Sequence, residues 1–273
     1  MVRAVQHGPA KLPSGRNGHQ ADEFVVATFN IRNGLAFDGL NSWPLRRRTT
    51  AKALAGLYAD VLGLQEVYWF QRRYLLRRNG QYKAVGRGRR NGRAGEQCPI
   101  LVRQPIELLS DATRWFGDRP DHPGIRLPGA SAPRVATIAR CRHGKSGREF
   151  DVVNVHLDEH VEPNRVRSAE LLAEWLDDAR PTVLLGDFNT TDGDRPVMDP
   201  LRDAGFETVP LDRGTNHDFT GTTDGPRLDH IFVRSVPSTR WEVVSSGVWA
   251  ERTGRRLPSD HWPAVARVRL IDA

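Results

Sequence analysis

Residues 181–189 read Pro181-Thr182-Val183-Leu184-Leu185-Gly186-Asp187-Phe188-Asn189. The unbroken apolar run Val183–Leu185 is the pattern of a strand buried on both faces. Polarity returns abruptly, which puts Asp187 and Asn189 at the C-terminal mouth of that strand. On an extended chain, residues two apart face the same way. A carboxylate and a carboxamide are therefore expected side by side, a pair able to hold a water and a phosphoryl oxygen. In isolation the same letters equally describe a strand that ends in an ordinary Asp/Asn turn. The rest of the chain decides between the two.

Working outward, the same device recurs. Phe24–Ile31 reads as a strand that ends at Asn30, with Arg32 just beyond. Asn41-Ser42 before Trp43-Pro44 has the form of a helix start, Pro in the first turn, and the helix is predicted to run to about Ala59. Val61–Leu64 is a second buried strand, followed by Gln65-Glu66. Glu149–His156 is a strand that ends in His156. Leu228–Val233 begins beside Asp229, and the closing strand Ala264–Leu270 is preceded by Pro258-Ser259-Asp260-His261. Gln97–Val102, Ile106–Leu109, Arg134–Arg140 and Trp241–Ser246 complete the expected strands. Gly144–Gly147 reads as a hairpin turn, and Trp115–Pro133 as a long loop of the kind that tends to carry function. Gln71–Arg78 and Glu162–Ala179 are predicted helices. Two strand-rich halves, each bordered by helices, imply an α/β fold: two mixed, mainly antiparallel sheets face to face with helices outside.

The chain has 273 residues and no Pro/Gly/Ser linker inside the patterned region. It is read as one domain over 24–273. Residues 1–23, rich in Gly, Pro, Arg and His without an apolar centre, are read as a disordered leader and not a secretory signal. Two cysteines exclude a disulfide scaffold and suit a reducing compartment, so a cytoplasmic protein is expected. No apolar run reaches membrane-spanning length, and a monomer is expected. The net charge is +7, and Gln71–Arg103 alone holds ten Lys/Arg against one acid, Glu96. Arg72–Arg78 reads as a solvated helix face. The glycine-laced segment Gly86–Arg93 runs straight into Glu96, and its Arg87, Arg89, Arg90 and Arg93 are candidates for an anionic substrate, nucleic acid included.

The strand ends thus supply Asn30, Glu66, His156, Asp187, Asn189, Asp229, Asp260 and His261, with Glu96 beside them. This set is rich in oxygen and has no cysteine cluster. Hard oxygen ligands suit Mg²⁺ or Mn²⁺ and not a structural zinc. A histidine beside a carboxylate is held in one tautomer and stabilised when protonated, and Asp229 with His261 is the expected pair. Taken singly, each residue equally fits a turn, a cap or a hydrogen-bonded interior side chain. Taken jointly, they require many strands to end by accident in metal or phosphate chemistry.

The ordered segments resemble the endonuclease/exonuclease/phosphatase superfamily of deoxyribonuclease-like phosphoesterases. They are Thr28–Arg32, Asn41–Trp43 with Arg46-Arg47, Leu64–Val67, Gly95-Glu96 with Pro99-Ile100, and Pro133–Thr137. Asn154–Asp158, Gly186–Asn189, Leu228–Val233 and Ser259–His261 complete the series. The likeness spans roughly residues 24–270 and is greatest to a bacterial branch of small single-domain members. It implies a four-layer α/β sandwich with the site at one end of both sheets. It further implies Glu66 as main metal ligand with Asn30 and Asp260, and Asp187 with Asn189 on the attacking water. His261 on Asp229 would be the base or phosphate-stabilising histidine, His156 paired with Glu96 the second histidine, and Arg134 a phosphate contact. The implied activity is Mg²⁺-dependent hydrolysis of a phosphodiester, with a nuclease among the options. A phosphatase or phosphodiesterase for a small or lipid-derived phosphate, and a non-catalytic phosphate-binding module, are the alternatives. Val155 stands where many relatives have Thr, and the Trp-Cys-Asp-Arg segment of inositol-polyphosphate phosphatases is absent.

Overall fold

A computed structural model describes residues 22–273. Most of the expected leader lies outside the described residues; its last member, Glu23, already opens the first strand. In chain order the elements are β1 (Glu23–Asn30), a 3₁₀ turn (Gly39–Asn41), α1 (Trp43–Gly56), β2 (Val61–Gln65), α2 (Trp69–Arg78) and β3 (Lys83–Val85). There follow β4 (Gly88–Arg90), β5 (Ala94–Gln97), β6 (Ile100–Val102), β7 (Ile106–Trp115), β8 (Val135–His143) and β9 (Glu149–His156). The remainder is α3 (Glu162–Trp175), β10 (Thr182–Asp187), α4 (Arg195–Asp203), β11 (Glu207–Thr208), β12 (Asp229–Arg234), β13 (Thr239–Val248) and β14 (Ala264–Asp272).

Two six-stranded sheets form, in the orders β13-β14-β1-β2-β6-β3 and β11-β12-β10-β9-β8-β7. Each has one parallel pair at its centre, β1 with β2 and β9 with β10; the other pairings are antiparallel. The period-two alternation of the strands explains the layering. Phe24 and Val26 face inward with Val152, Val183, Leu185 and Ile231 of the other sheet, making the central core. Val25, Ala27 and Phe29 face outward and are covered by Leu54, Leu57 and Leu75 of the first helical layer. Val153, Leu184 and Phe232 do the same on the second sheet, under Leu172, Met198 and Leu201. The four-layer α/β sandwich is therefore as expected.

The sheets are also tied by polar groups. Asn154 of β9 donates through Nδ2 to the carbonyls of Leu64 and Pro99, 2.9 Å each, and its Oδ1 accepts from Gln65 Nε2 at 2.6 Å. Gly63 makes the space, since a Cβ there would lie 2.7 Å from Asn154 Oδ1. The buried Asn154 side chain is paired at both ends, which removes the cost of an unsatisfied interior amide at that residue. The tie sits within two residues of the tips of β2 and β9 and fixes the relative height of the two sheets.

Several boundaries differ from the sequence reading. The helix expected to Ala179 stops at Trp175. The Asp177 carbonyl is taken by Arg234 Nη2 at 2.6 Å, and the Ala179 amide by Asp177 Oδ1 at 2.8 Å, so 176–181 becomes a turn docked on the second sheet. The Gln97–Val102 strand splits at Cys98-Pro99, and the glycine-laced stretch is in part a hairpin, β4 with β5. Helix α4 was not foreseen, although Asp194 before Arg195-Pro196 has the form of a helix start. Among the described residues no helix is long and apolar enough to cross a membrane.

Candidate active site

The ends of both parallel pairs open on the same edge of the sandwich. Asn30, the last residue of β1, links them: its Nδ2 donates to Glu66 Oε1 and to Asp187 Oδ2, 2.9 Å in each case. Its Oδ1 accepts the Arg32 amide at 2.9 Å. Glu66 leaves β2 in the left-handed region, φ 60°, uncommon for a residue with a side chain. That turn aims its carboxylate back toward β1, where Oε2 accepts the Asn33 amide at 2.6 Å. Among the described residues no Lys, Arg or His lies within ion-pair distance of Glu66. Asp260 sits on the other side of Asn30. Ser259 Oγ bridges the Asn30 carbonyl (2.7 Å) and Asp260 Oδ1 (3.0 Å), and Arg32 Nη1 lies 3.5 Å from Asp260 Oδ2.

Asp187 is fully enclosed at the centre. Besides Asn30, its Oδ2 has His156 Nε2 at 3.9 Å and His261 Nε2 at 4.0 Å. The Gly-Asp turn has a local cause: a Cβ at Gly186 would collide with the Val155 carbonyl of the neighbouring strand. Asn189 does not share a strand face with Asp187. The chain leaves the strand at Asp187, and Asn189 turns to φ 51° with its amide on Asp187 Oδ1 at 2.9 Å. Its side-chain Nδ2 donates to the Leu157 carbonyl at 3.0 Å. The expectation of two side chains emerging together is corrected accordingly: the backbone of Asn189, and not its carboxamide, touches Asp187.

His261 Nδ1 lies 2.7 Å from Asp229 Oδ2, and its Nε2 lies 2.9 Å from the Asn216 side-chain amide. The Asp229 amide donates to Thr215 Oγ1, which holds the start of β12 against the 212–228 loop. Burial alone would lower the His261 pKa. The charge and hydrogen bond of Asp229, reinforced by Asp187 and Asp260, outweigh it and hold the imidazole well above its usual range. His156 goes the other way, far below its usual range, because burial and then the charges of Arg134 and Arg89 oppose its protonation. Burial, and next the Asp229 charge, raise Asp187. Two histidines with opposite tendencies flank one carboxylate, an arrangement that sorts proton donor from neutral hydrogen-bonding group.

Beside His156 a narrow cleft is lined by Glu66, Arg89, Glu96, Arg134 and Val135. Arg134 is buried, and its Nε and Nη1 have no hydrogen-bond partner among the described residues. A buried guanidinium with free donors is an anion site in waiting. Glu96 is not paired with His156, as the family likeness implied. Arg89 holds it through two contacts, 2.8 and 3.0 Å, and Asn33 Nδ2 adds a third at 3.0 Å. The β4–β5 hairpin sets Arg89 and Glu96 across from each other, so the guanidinium fork reaches the carboxylate first. Arg87, Arg90 and Arg93 are exposed; Arg87 stacks 5.5 Å over Trp115.

Asn33, Asn216 and Arg32 are members of this constellation that sequence reasoning missed. Asn33 lies three residues after a predicted strand end, which is a usable signal. Asn216 sits in a loop without periodicity, and only the fold brings it to His261.

One metal-like group of acids and histidines occurs among the described residues: Asp187, Asp229 and His261, with ligand atoms within 4.8 Å of one another. His261 Nδ1 already takes up Asp229 Oδ2 in a short contact, so this trio is better suited to handling a proton. Glu66 is a partly buried carboxylate without a cation in ion-pair distance among the described residues, and the Asn30 amide bridges it to the Asp187 carboxylate; oxygen donors of this kind suit a hard divalent ion.

The chain matches the model of the Endonuclease/Exonuclease/phosphatase family over residues 27–261 and belongs to that family. A mannosyl-6-phosphatase of Bacteroides thetaiotaomicron superposes with a TM-score of 0.80 at 26% identity, covering 91% of this chain and 99% of the other. A Bacteroides vulgatus endonuclease/exonuclease/phosphatase protein gives 0.80 at 30% identity, with 91% and 99% covered. D. rerio TDP2 complexed with a single-strand DNA product shares the fold, with a TM-score of 0.72 at 20% identity over 90% and 99% of the two chains. No curated protein matches the sequence.

Proposed function

We propose that this family member is a divalent-metal-dependent hydrolase that cleaves a phosphodiester by in-line attack of water, with Mg²⁺ as cofactor and Mn²⁺ able to replace it. The observation that carries the reading is the Asn30 amide. It joins the lone carboxylate Glu66 of one sheet to the buried Asp187 of the other, 2.9 Å to each.

The ion, when bound, would neutralise charge on a phosphoryl oxygen. Glu66, Asn30 and Asp260 are the residues that would hold it. The remaining roles fall to the chain itself. Asp187, kept in place by Asn30 and by the Asn189 backbone, orients the attacking water. His261 carries a proton stabilised by Asp229 and presents Nε2 to the reaction centre. Asn216 offers an amide donor on one edge and an acceptor on the other, so it can follow His261 between charge states. Neutral His156 donates a hydrogen bond to a phosphate oxygen, and Arg134 supplies the unspent donors of its guanidinium to the same group. Glu96 acts by orienting Arg89 along that wall. We further propose a cytoplasmic monomer; the two cysteines, both buried and unpaired, fit a reducing compartment.

A second reading, hydrolysis of a small sugar phosphate, is favoured by the likeness to a mannosyl-6-phosphatase and by the narrowness of the Arg134 cleft. Both readings are tested together. Hydrolysis of bis-p-nitrophenyl phosphate, p-nitrophenyl phosphate, a hexose 6-phosphate, and single- and double-stranded DNA and RNA is followed with Mg²⁺, with Mn²⁺ and with EDTA. Turnover of the diester should require metal and fall by at least about 10²-fold in Glu66→Ala and in His261→Ala. Folded variants within tenfold of wild type would sink the assignment of roles. Absence of turnover on every substrate with either metal would leave the binding module.

A further inference from the structure

The outer face of the first sheet carries a groove of about 480 Å³ between α1 and α2. Most of its wall comes from two residue kinds: aromatics, notably Trp43, Trp69 and Phe70, and the arginines Arg47, Arg73 and Arg77. None of the lining residues is acidic. Among the described residues none of these three arginines forms an ion pair, whereas arginines elsewhere on the surface, such as Arg167, Arg202 and Arg269, do. The sequence reading of Arg72–Arg78 as a solvated helix face is therefore incomplete. Arg72 is structural, with donors on the carbonyls of Gly86 and Ala84 and on Gln97 Oε1. Arg73 and Arg77, one turn apart on α2, face the groove.

The aromatics are held for use. Trp69 is 59% exposed although it opens a helix, and its ring stands edge-on to Phe70 at 5.9 Å. Tyr74 is set edge-on to Trp43 at 5.9 Å and has the Arg47 guanidinium 5.2 Å over its ring. An exposed indole in a concave, cationic surface is a platform for another planar group.

The groove also adjoins the proposed catalytic centre through short covalent links. Trp69 follows Glu66 by three residues. Buried Gln71 accepts the amides of Gly34 and Tyr68 at 3.0 Å each and donates to the Arg32 carbonyl at 3.0 Å. Gly34 lines the groove, and the preceding Asn33 binds Glu66 and Glu96.

We propose that this groove binds single-stranded nucleic acid, with a base stacked on Trp69 and backbone phosphates on Arg47, Arg73 and Arg77, as the strand runs toward the Glu66–Asp187 site. The inference deepens the phosphodiester reading and rests on it for the fate of the strand. The chemistry selects the class. Unpaired cations call for a polyanion, and an open aromatic face calls for a planar group. A duplex hides the faces of its bases, and an acidic peptide carries few planar groups.

The test uses fluorescein-labelled dT₁₂ and U₁₂, a 12-base-pair duplex and phosphatidylserine vesicles, each titrated in EDTA so that binding is read without cleavage. The Arg47→Ala/Arg73→Ala/Arg77→Ala variant should lower the slope of log K against log salt by about two, at about 0.7 per lost phosphate contact. Trp69→Ala should weaken single-strand binding on the order of 5- to 150-fold, with little effect on the duplex and recovery in Trp69→Phe. Arg195→Ala, on α4 at the far side, should bind as wild type. Wild-type slope and affinity in both groove variants, checked for folding by circular dichroism, would overturn the inference. So would equal losses on single strand and duplex, or losses confined to phosphatidylserine vesicles. Diester turnover by the wild-type chain is measured separately. If that fails while the groove variants lose binding, it is the hydrolase reading that falls.

Discussion

Arg46 is the residue whose replacement tests most directly how the site is held together. Its side chain is fully buried under α1. Nη1 donates to the carbonyls of Ile31 (2.7 Å) and Pro258 (3.1 Å), and Nη2 to that of Arg32 (2.9 Å). Ile31 and Arg32 follow Asn30, and Pro258 leads into Ser259-Asp260-His261, so one guanidinium fastens two segments that carry proposed metal and proton residues. Burial pushes its pKa down to about 10, against the opposing charges of Asp260, Asp38 and Glu66, and it stays charged at neutral pH. In Arg46→Met the Pro258 carbonyl keeps Thr50 Oγ1 at 2.6 Å and the Arg32 carbonyl keeps Gln71 Nε2 at 3.0 Å, but that of Ile31 loses its donor. One stranded carbonyl and the lost clamp on the other two, partly offset by an apolar side chain of similar length, give a loss of about 1–3 kcal/mol. For a domain of this size that is a fall in Tm of about 2–12 °C. Diester turnover by the folded fraction should drop at least about tenfold, since misplacement by about 1 Å can cost 10²-fold. Arg46→Lys should lie between, because an ammonium lacks the planar fork. Urea denaturation and bis-p-nitrophenyl phosphate turnover decide the matter. A Met variant within about 0.5 kcal/mol of wild type, with unchanged turnover, would refute the clamp.

Arg134→Met should leave folding stability within about 1 kcal/mol of wild type or raise it, since Nε and Nη1 have no hydrogen-bond partner among the described residues, yet cut kcat/KM on the diester by about 10²-fold. A loss of several kcal/mol in denaturation would show that the group is structural instead. Neutralising Arg87, Arg90 and Arg93 together, with Arg89 left on Glu96, should flatten the salt dependence of polyanion binding. An unchanged slope would return the hairpin's outer side to simple solvation.

The strand tips were legible because burial and polarity change within one or two residues there. Val183–Leu185 into Asp187, Val61–Leu64 into Glu66 and Phe24–Phe29 into Asn30 each mark where a strand leaves the core. What the linear pattern does not carry is how the chain turns after the tip. Glu66 and Asn189 both enter the left-handed region, and that turn swings the Asn189 side chain to Leu157, away from the face shared with Asp187. The partner of Glu96 was missed for a related reason. Hairpin register sets Arg89 opposite it, and register is fixed by the β4–β5 turn, which the glycines disguised as loop. Asn216 and Arg46 act through contacts across 45 and 212 residues, distances over which one sequence offers no pattern.

The arrangement of the sheets explains why the constellation is assembled as it is. A parallel pair sends both strand ends the same way, and here each sheet places one such pair at its centre. Four tips, those of β1, β2, β9 and β10, are thereby forced onto one edge. Neither sheet alone holds a complete set: Glu66, Asn30 and the Asp260-His261 segment belong to the first, and His156, Asp187 and Asp229 to the second. Coupling between them runs through Asn30 to Asp187, through His261 to Asp229, and beneath both through the buried Asn154–Gln65 tie. Since Asn154 is paired at both ends of its amide and lies in the core, a shift of one sheet against the other must strand several buried donors at once. The catalytic geometry is therefore coupled to the stability of the inter-sheet core, while the α1–α2 groove and the β4–β5 hairpin, lying outside it, are free to vary in substrate preference.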